Sequence, residues 1–474
     1  MSRVLPRGAV FALALFGAAS HVFLGADAEV PDWLLPAAVA AGLAIAMLAR
    51  RSAAAPIDEP VDRRVLLAAC AILAVTFGFL VYGSCATPSR DWDGATSWDL
   101  RARALTETPT LAQPFFRDGG VFAHSRDYPL LQPLVLAALA RLGPGPQLAR
   151  IVFPLLWLLF LTVVLDAWRT LGLTRRQRIV FGVACALTPM LVDPAMGSID
   201  SGFGDAALMC TFTILAAGLA TDDLAFVTCG ALLLPMVKPE GLLLAPLTIA
   251  VAWMWGRRRA LIAALIGFDL GVLLWLPLYS RLVAGEAAYA VVLWLCAAIS
   301  VPVGWSALLL ERSSPRRRAG AAVVLVALGT LAAWALTGFH PMGVRKDGVL
   351  DVYLAGLRDL PSRLPKLPGT IAAIVGHAFT PRRFGMLAPL LLVLAFTKRH
   401  SIPAARLLAT LLALCLASLV LPFVTSPEQD LQHHVNSSLD RLLMQQVGLA
   451  WLLAGLWWNA AVAQPVAPVV GDTR

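Results

Sequence analysis

The chain has 474 residues, 59% of them hydrophobic and only 14% charged. A soluble domain carries nearer a quarter charged residues, and a mean hydropathy of +0.75 over this length needs many segments dissolved in lipid, which excludes an ordinary water-soluble fold. The net charge of +9 is not a nucleic-acid footprint: the arginines cluster at the ends of apolar runs, as the positive-inside rule demands, and no basic stripe is interleaved with stacking aromatics.

Apolar runs near residues 8–26, 33–49, 65–83, 149–168, 179–196, 205–220, 224–237, 242–255, 260–278, 287–310, 320–338, 384–397, 404–424 and 442–460 predict about fourteen membrane spans. Their residues do not alternate as barrel strands do, so the expected fold is all-α, a polytopic transmembrane helical bundle. The first twenty residues resemble a signal peptide, but a second apolar run and a basic loop follow, so an uncleaved first span is expected. The seven cysteines are scattered, mostly within apolar runs and without CxxC spacing, and read as packing residues.

The clusters Arg50/Arg51/Arg63/Arg64, Arg175/Arg176/Arg178, Arg257/Arg258/Arg259, Arg316/Arg317/Arg318 and Lys398/Arg399/Arg406 are all expected on the cytoplasmic side. An even number of crossings must then separate consecutive clusters. The run DYPLLQPLVLAALARL, residues 127–142, would break that parity if it spanned, so it is expected to lie along the interface or to dip in and out. Residues 224–255 as one helix would be roughly 48 Å long against a ~30 Å hydrocarbon core. Two short spans joined at Lys238-Pro239-Glu240-Gly241 restore parity and keep those charges out of the membrane.

With a cytoplasmic N-terminus, the outer loops cover residues 84–148, 339–383 and 425–441. Three regions follow: residues 1–64, with two additional N-terminal spans and a basic cytoplasmic loop; residues 65–338, a core that carries the loop 84–148; and residues 339–474, with the second outer loop and the C-terminal spans. No separate soluble domain and no internal repeat are visible.

The first outer loop holds Asp91, Asp93, Asp99, Asp118 and Asp127 among Arg90, Arg101, Arg103, Arg117 and Arg126. Trp92, Trp98, Phe115 and Phe116 suit the headgroup level, and Trp98 to Ala104 can form a short amphipathic helix on the membrane surface. The third loop places His433, His434, Asp440 and Arg441 above the last span. Adjacent histidines point apart on a helix, which disfavours a metal site there.

An outer loop opening WDGATSW, an interfacial DYPLL segment, an Ala149-Arg150 entry into the next span and a later VKPEG turn together resemble the GT-C superfamily of membrane glycosyltransferases. The likeness is greatest to the branch of protein O-mannosyltransferases and lipid A aminoarabinose transferases. It covers roughly residues 65 to 280 in pattern. Asp93 matches the acidic position of the family's first loop, and Tyr128-Pro129-Leu130 its Pro-containing motif at a juxtamembrane helix. The chain departs in having two extra spans first, WDG in place of a paired Asp-Glu, and YPL in place of PPL.

The resemblance implies GT-C-like juxtamembrane helices in the first outer loop and transfer of a sugar from a polyprenyl-phosphate donor. The acceptor would be a hydroxyl of a glycolipid, polysaccharide or protein on the outer face of a bacterial plasma membrane. Neither GxGxxG nor a P-loop is present for a nucleotide sugar. Asp93 is the expected base, with a helix-cap role as its bland alternative; Asp127 is second, as an acceptor-orienting group or a cap. Lys238, then Arg382, Arg383 and Arg441, are the expected donor-phosphate ligands. Their structural alternatives are pairing of Lys238 with Glu240, lipid anchoring by Arg382 and Arg383, and an Arg441–Asp440 ion pair. GT-C enzymes differ in whether they use a divalent metal, and none is assigned. A transporter or flippase of lipid-linked sugars is the alternative reading; it calls for ionisable residues deep in the spans, such as Asp269.

Overall fold

A computed structural model of the chain describes residues 4–49, 60–89, 94–117, 128–143, 145–193, 198–282, 359–396, 402–425 and 431–462. Asp93, Asp127 and the expected spans near residues 287–310 and 320–338 lie outside the described residues.

All regular elements among the described residues are helices. We label those of eight residues or more α1 (Val4–Gly25), α2 (Leu34–Leu48), α3 (Arg63–Ala86), α4 (Leu100–Glu107), α5 (Leu131–Arg141), α6 (Val152–Thr170), α7 (Arg175–Ala186), α8 (Gly204–Thr221), α9 (Leu224–Val237), α10 (Gly241–Met254), α11 (Arg258–Leu282), α12 (Leu367–Ala378), α13 (Leu387–Ala395), α14 (Pro403–Ser418), α15 (Leu431–Met444) and α16 (Val447–Val462). Among the described residues, six helices are long and apolar enough to cross a membrane, and α2, α5, α9, α10 and α16 are shorter apolar helices.

Local sequence sets the boundaries. Asp62 caps α3 by accepting the Arg64 N–H at 2.8 Å. Thr174 and Gln177 form a reciprocal capping box at α7. The span expected over residues 179–196 is broken: α7 ends at Ala186, and Pro189 opens a separate short helix, Pro189–Val192. The KPEG turn separates α9 from α10.

The packing is that of a helical membrane protein. α3 is apolar along nearly its whole length, yet little of it is buried. Val65, Leu67, Ile72, Val75 and Phe79 are exposed along it, an arrangement that lipid tolerates and water does not. α8, by contrast, is buried almost throughout. Tight approach uses small residues: a Cβ on Gly267 or Gly271 of α11 would lie 2.2 Å from the Thr228 carbonyl oxygen or 2.4 Å from that of Leu232 on α9. This GxxxG spacing lets two backbones touch where no hydrophobic effect drives association.

The helix ends sort into two groups. Arg7 at the start of α1 pairs with Asp223 before α9, and Arg257 pairs with Asp222 at 2.5 Å. These groups, with the ends of α2 and α6, line a cleft of about 690 Å³. At the opposite end, Gln147 and Arg150 donate to the Thr87 carbonyl at 2.7 and 2.8 Å, and the KPEG turn meets the start of α8. We call this the long-loop end, because it carries the first long loop.

Four loop segments hold helix or buried side chains. Trp98 to Glu107 is helical, as a π-turn (Gly94–Asp99) followed by α4, but Trp98 and Arg101 are each only 1% exposed. They are covered because Gly204 lets the indole approach the backbone (a Cβ there would sit 2.6 Å from the ring) and because Tyr128 stacks beside it. Residues 128–130 lead into α5, which is enclosed by protein on almost every face. The loops expected over residues 339–383 and 425–441 contain α12 and most of α15.

Candidate functional site

Two charged centres occupy the long-loop end. The first forms where α8 starts, where α9 meets α10 and where α15 meets α16. Asp205 lies in the first turn of α8 and is 1% exposed. Its Oδ1 accepts from Lys238 Nζ at 2.7 Å and from Gln445 Nε2 at 2.6 Å. Lys238, 6% exposed, also pairs with Glu240 at 2.9 Å. The helix N-terminus adds partial positive charge for Asp205. Burial pulls the Lys238 ammonium pKa down, but the carboxylates of Asp205 and Glu240 outweigh it, with the Tyr128 phenol adding, and raise it well above the usual lysine range. Arg441 completes the centre: its charge acts on both Asp205 and Lys238, and its guanidinium lies 4.5 Å from the centroid of the Phe203 ring.

The second centre joins α12 and α15. His377 Nδ1 is 2.7 Å from Asp440 Oδ1, and Arg383 Nη1 reaches the same oxygen at 3.0 Å. Asp440 thus serves α12 and the short helix Pro381–Phe384.

Of the residues nominated from sequence, Lys238 and Arg441 come together on Asp205. Arg383 is held on Asp440, and Arg382 is exposed beside it. The ion pair of Lys238 with Glu240 is present, but Asp205 is the nearer partner. Sequence reasoning missed Asp205, Gln445 and His377. Asp205 alone carried a signal: a carboxylate in the first turn of an apolar helix, at the same end as Lys238.

Behind these centres a backbone-anchored layer fixes the first loop. Arg150 Nη1 and Nη2 donate to the carbonyls of Thr87 and Asp200 at 2.8 and 3.0 Å, and its Nε lies 3.8 Å from Asp99. Gln132 Nε2 donates to the Gly202 carbonyl at 2.8 Å. Arg101 Nη1 donates to the Tyr128 carbonyl at 3.2 Å. The YPL motif is thereby tied to α4, with the Tyr128 phenol near Lys238. Burial pushes the Asp99 carboxyl above its usual pKa, against the opposing pull of Arg150, Arg103 and a Ser89 hydrogen bond.

No group of three or more His, Cys, Asp or Glu able to hold a metal occurs among the described residues. No protein-family model, curated protein or solved structure matches the chain.

Proposed function

We propose that the protein is a membrane glycosyltransferase that moves a sugar from a polyprenyl-phosphate donor to an acceptor hydroxyl, with the long-loop end facing the outside of a plasma membrane. One observation carries the reading: Lys238 and Arg441, far apart in sequence, converge beside Asp205 at the end of the helices where a lipid phosphate would sit. The resemblance of the first loop to GT-C enzymes supports it.

In this reading the acceptor oxygen attacks the anomeric carbon. The bond from that carbon to the phosphate oxygen breaks, and polyprenyl phosphate leaves with the electron pair. Asp93 takes the hydroxyl proton, a contribution of about 10²–10⁴-fold. Negative charge builds on the departing phosphate. Two of the three Lys238 N–H donors already serve Asp205 and Glu240, so Lys238 offers its third, and Arg441 adds positive charge beside it. Arg382 and Arg383, at the Asp440 centre, would hold the donor phosphate as it approaches. Burial strengthens the contact made by Lys238.

The test is sugar transfer in proteoliposomes from radiolabelled polyprenyl-phosphate sugars, comparing native protein with Asp93→Asn and Arg441→Gln at equal folded amounts. Transfer that collapses in Asp93→Asn supports the reaction and the base together. No transfer from any donor, with movement of lipid-linked sugar between leaflets, would replace this reading with the flippase.

A further inference from the structure

A cleft of about 340 Å³ opens at the long-loop end between α4, the end of α5 and Arg150, within the range of small-molecule pockets, about 300–1,000 Å³. It is separate from the Asp205 and Asp440 centres, neither of which lines it. Its polar wall follows from helical spacing: Asp99, Arg103, Thr106 and Glu107 fall at intervals that place them on one face of the π-turn and α4. The opposite face of the same segment carries Trp98, Arg101 and Leu105, which are buried in the protein. Ala140 and Leu136 of α5 supply an apolar wall.

The charges in the lining balance. Two carboxylates, Asp99 and Glu107, face two guanidinium groups, Arg103 and Arg150. A cleft of this kind favours neither a net anion nor a net cation. It offers hydrogen-bond acceptors and donors side by side above an apolar surface. Among the described residues Asp99 Oδ1 has no hydrogen-bond partner, so the protein groups described around it leave part of this carboxylate's accepting capacity unused. Arg150 is held rigidly by its two backbone carbonyls. We propose that this cleft binds a neutral, polyhydroxylated ligand, a carbohydrate, with the Asp99 and Glu107 carboxylates and Arg103 exchanging hydrogen bonds with sugar hydroxyls and the C–H face lying against Ala140 and Leu136. As an acceptor site it rests on the transfer reading above; as a carbohydrate site it stands without it.

The test uses the full chain purified in detergent micelles. Saturation-transfer NMR is recorded with a panel of unlabelled methyl hexosides and maltose as probes, with inorganic phosphate as competitor. At least one glycoside is expected to receive saturation that phosphate does not displace. Asp99→Asn should weaken it about tenfold, the worth of one hydrogen bond to a charged group. Ala140→Trp fills the cleft from the opposite wall and should abolish it, so the site remains testable if one variant folds poorly. Absence of saturation for every probe, displacement by phosphate, or a signal unchanged in both folded variants would overturn the proposal. Binding that depends on Asp99 in a protein that transfers nothing keeps the cleft and removes the transfer reading. Transfer without binding at this cleft does the reverse.

Discussion

The Lys238 ammonium lies 2.7 Å from the Asp205 carboxylate, and both side chains are almost wholly removed from solvent. Two ions leave water only at high cost, and the attraction between them repays it only with good geometry and further hydrogen bonds. Gln445 and Glu240 supply those further contacts. Removing one partner strands the other. Lys238→Met is therefore expected to cost about 3–5 kcal/mol, seen as a lower melting temperature in detergent and a smaller monodisperse yield. The double variant Asp205→Asn/Lys238→Met should recover part of that loss. A single variant that melts with the native protein would mean that this pair does not hold the α8, α9 and α15 ends together.

Arg383 and His377 share Asp440. Neutralising that carboxylate by Asp440→Asn leaves the guanidinium without the partner that aims it. In the transfer reading, the KM for the polyprenyl-phosphate donor should rise about tenfold while kcat changes little, the pattern of lost ground-state binding. Steady-state kinetics at saturating acceptor separate the two. An unchanged donor KM would take Arg383 out of donor binding and leave it as a brace between α15 and the Pro381–Phe384 helix.

The pH dependence follows from Asp99 and Lys238. Burial raises the Asp99 carboxyl above its usual value, so the folded chain holds this proton to higher pH than the unfolded chain does. A stabilising contribution is present below the unfolded pKa and is lost as pH rises to the folded one. At neutral pH the ionised Asp99 is therefore a net burden on stability. Asp99→Asn should raise the melting temperature at pH 7, and the gain should vanish at pH values below the ordinary aspartate range of about 3.9. Melting curves across pH check the sign; a variant less stable at pH 7 would contradict it. Lys238, raised in turn, should contribute no titration below the ordinary lysine value of about 10.4.

Length and parity were enough to divide residues 224–255 at the KPEG turn, because a bilayer of fixed thickness cannot hold one helix of that span, and α9 and α10 fall on either side of the turn. The burial of Trp98 was not legible. An aromatic residue in a loop beside a membrane edge reads as an interfacial anchor, and only the three-dimensional meeting with Gly204 and Tyr128 covers it. Asp205 escaped for a related reason: a carboxylate in a first helical turn already has a local role. Its long-range one appears only when Lys238 and Gln445, from two other parts of the chain, reach the same oxygen.

Glycines on α3 and α11 test the membrane reading of the fold against each other. A Cβ on Gly271 would press on the Leu232 carbonyl oxygen at 2.4 Å, whereas one on Gly78 meets nothing within 4 Å. α9 and α11 would have to part to admit a side chain, and close van der Waals contact is what holds such a pair in lipid. Gly271→Leu should therefore lower the folded yield severely. Gly78→Leu adds an apolar side chain to the exposed apolar surface of α3, where leucine also suits the helix better than glycine does, by about 1 kcal/mol. It should leave yield and melting temperature unchanged or slightly raised in lipid nanodiscs. Fluorescence-detected size exclusion of both variants decides between the alternatives. A collapse of Gly78→Leu would mean that α3 packs against protein on that face, and the lipid-facing assignment of its exposed residues would have to be abandoned.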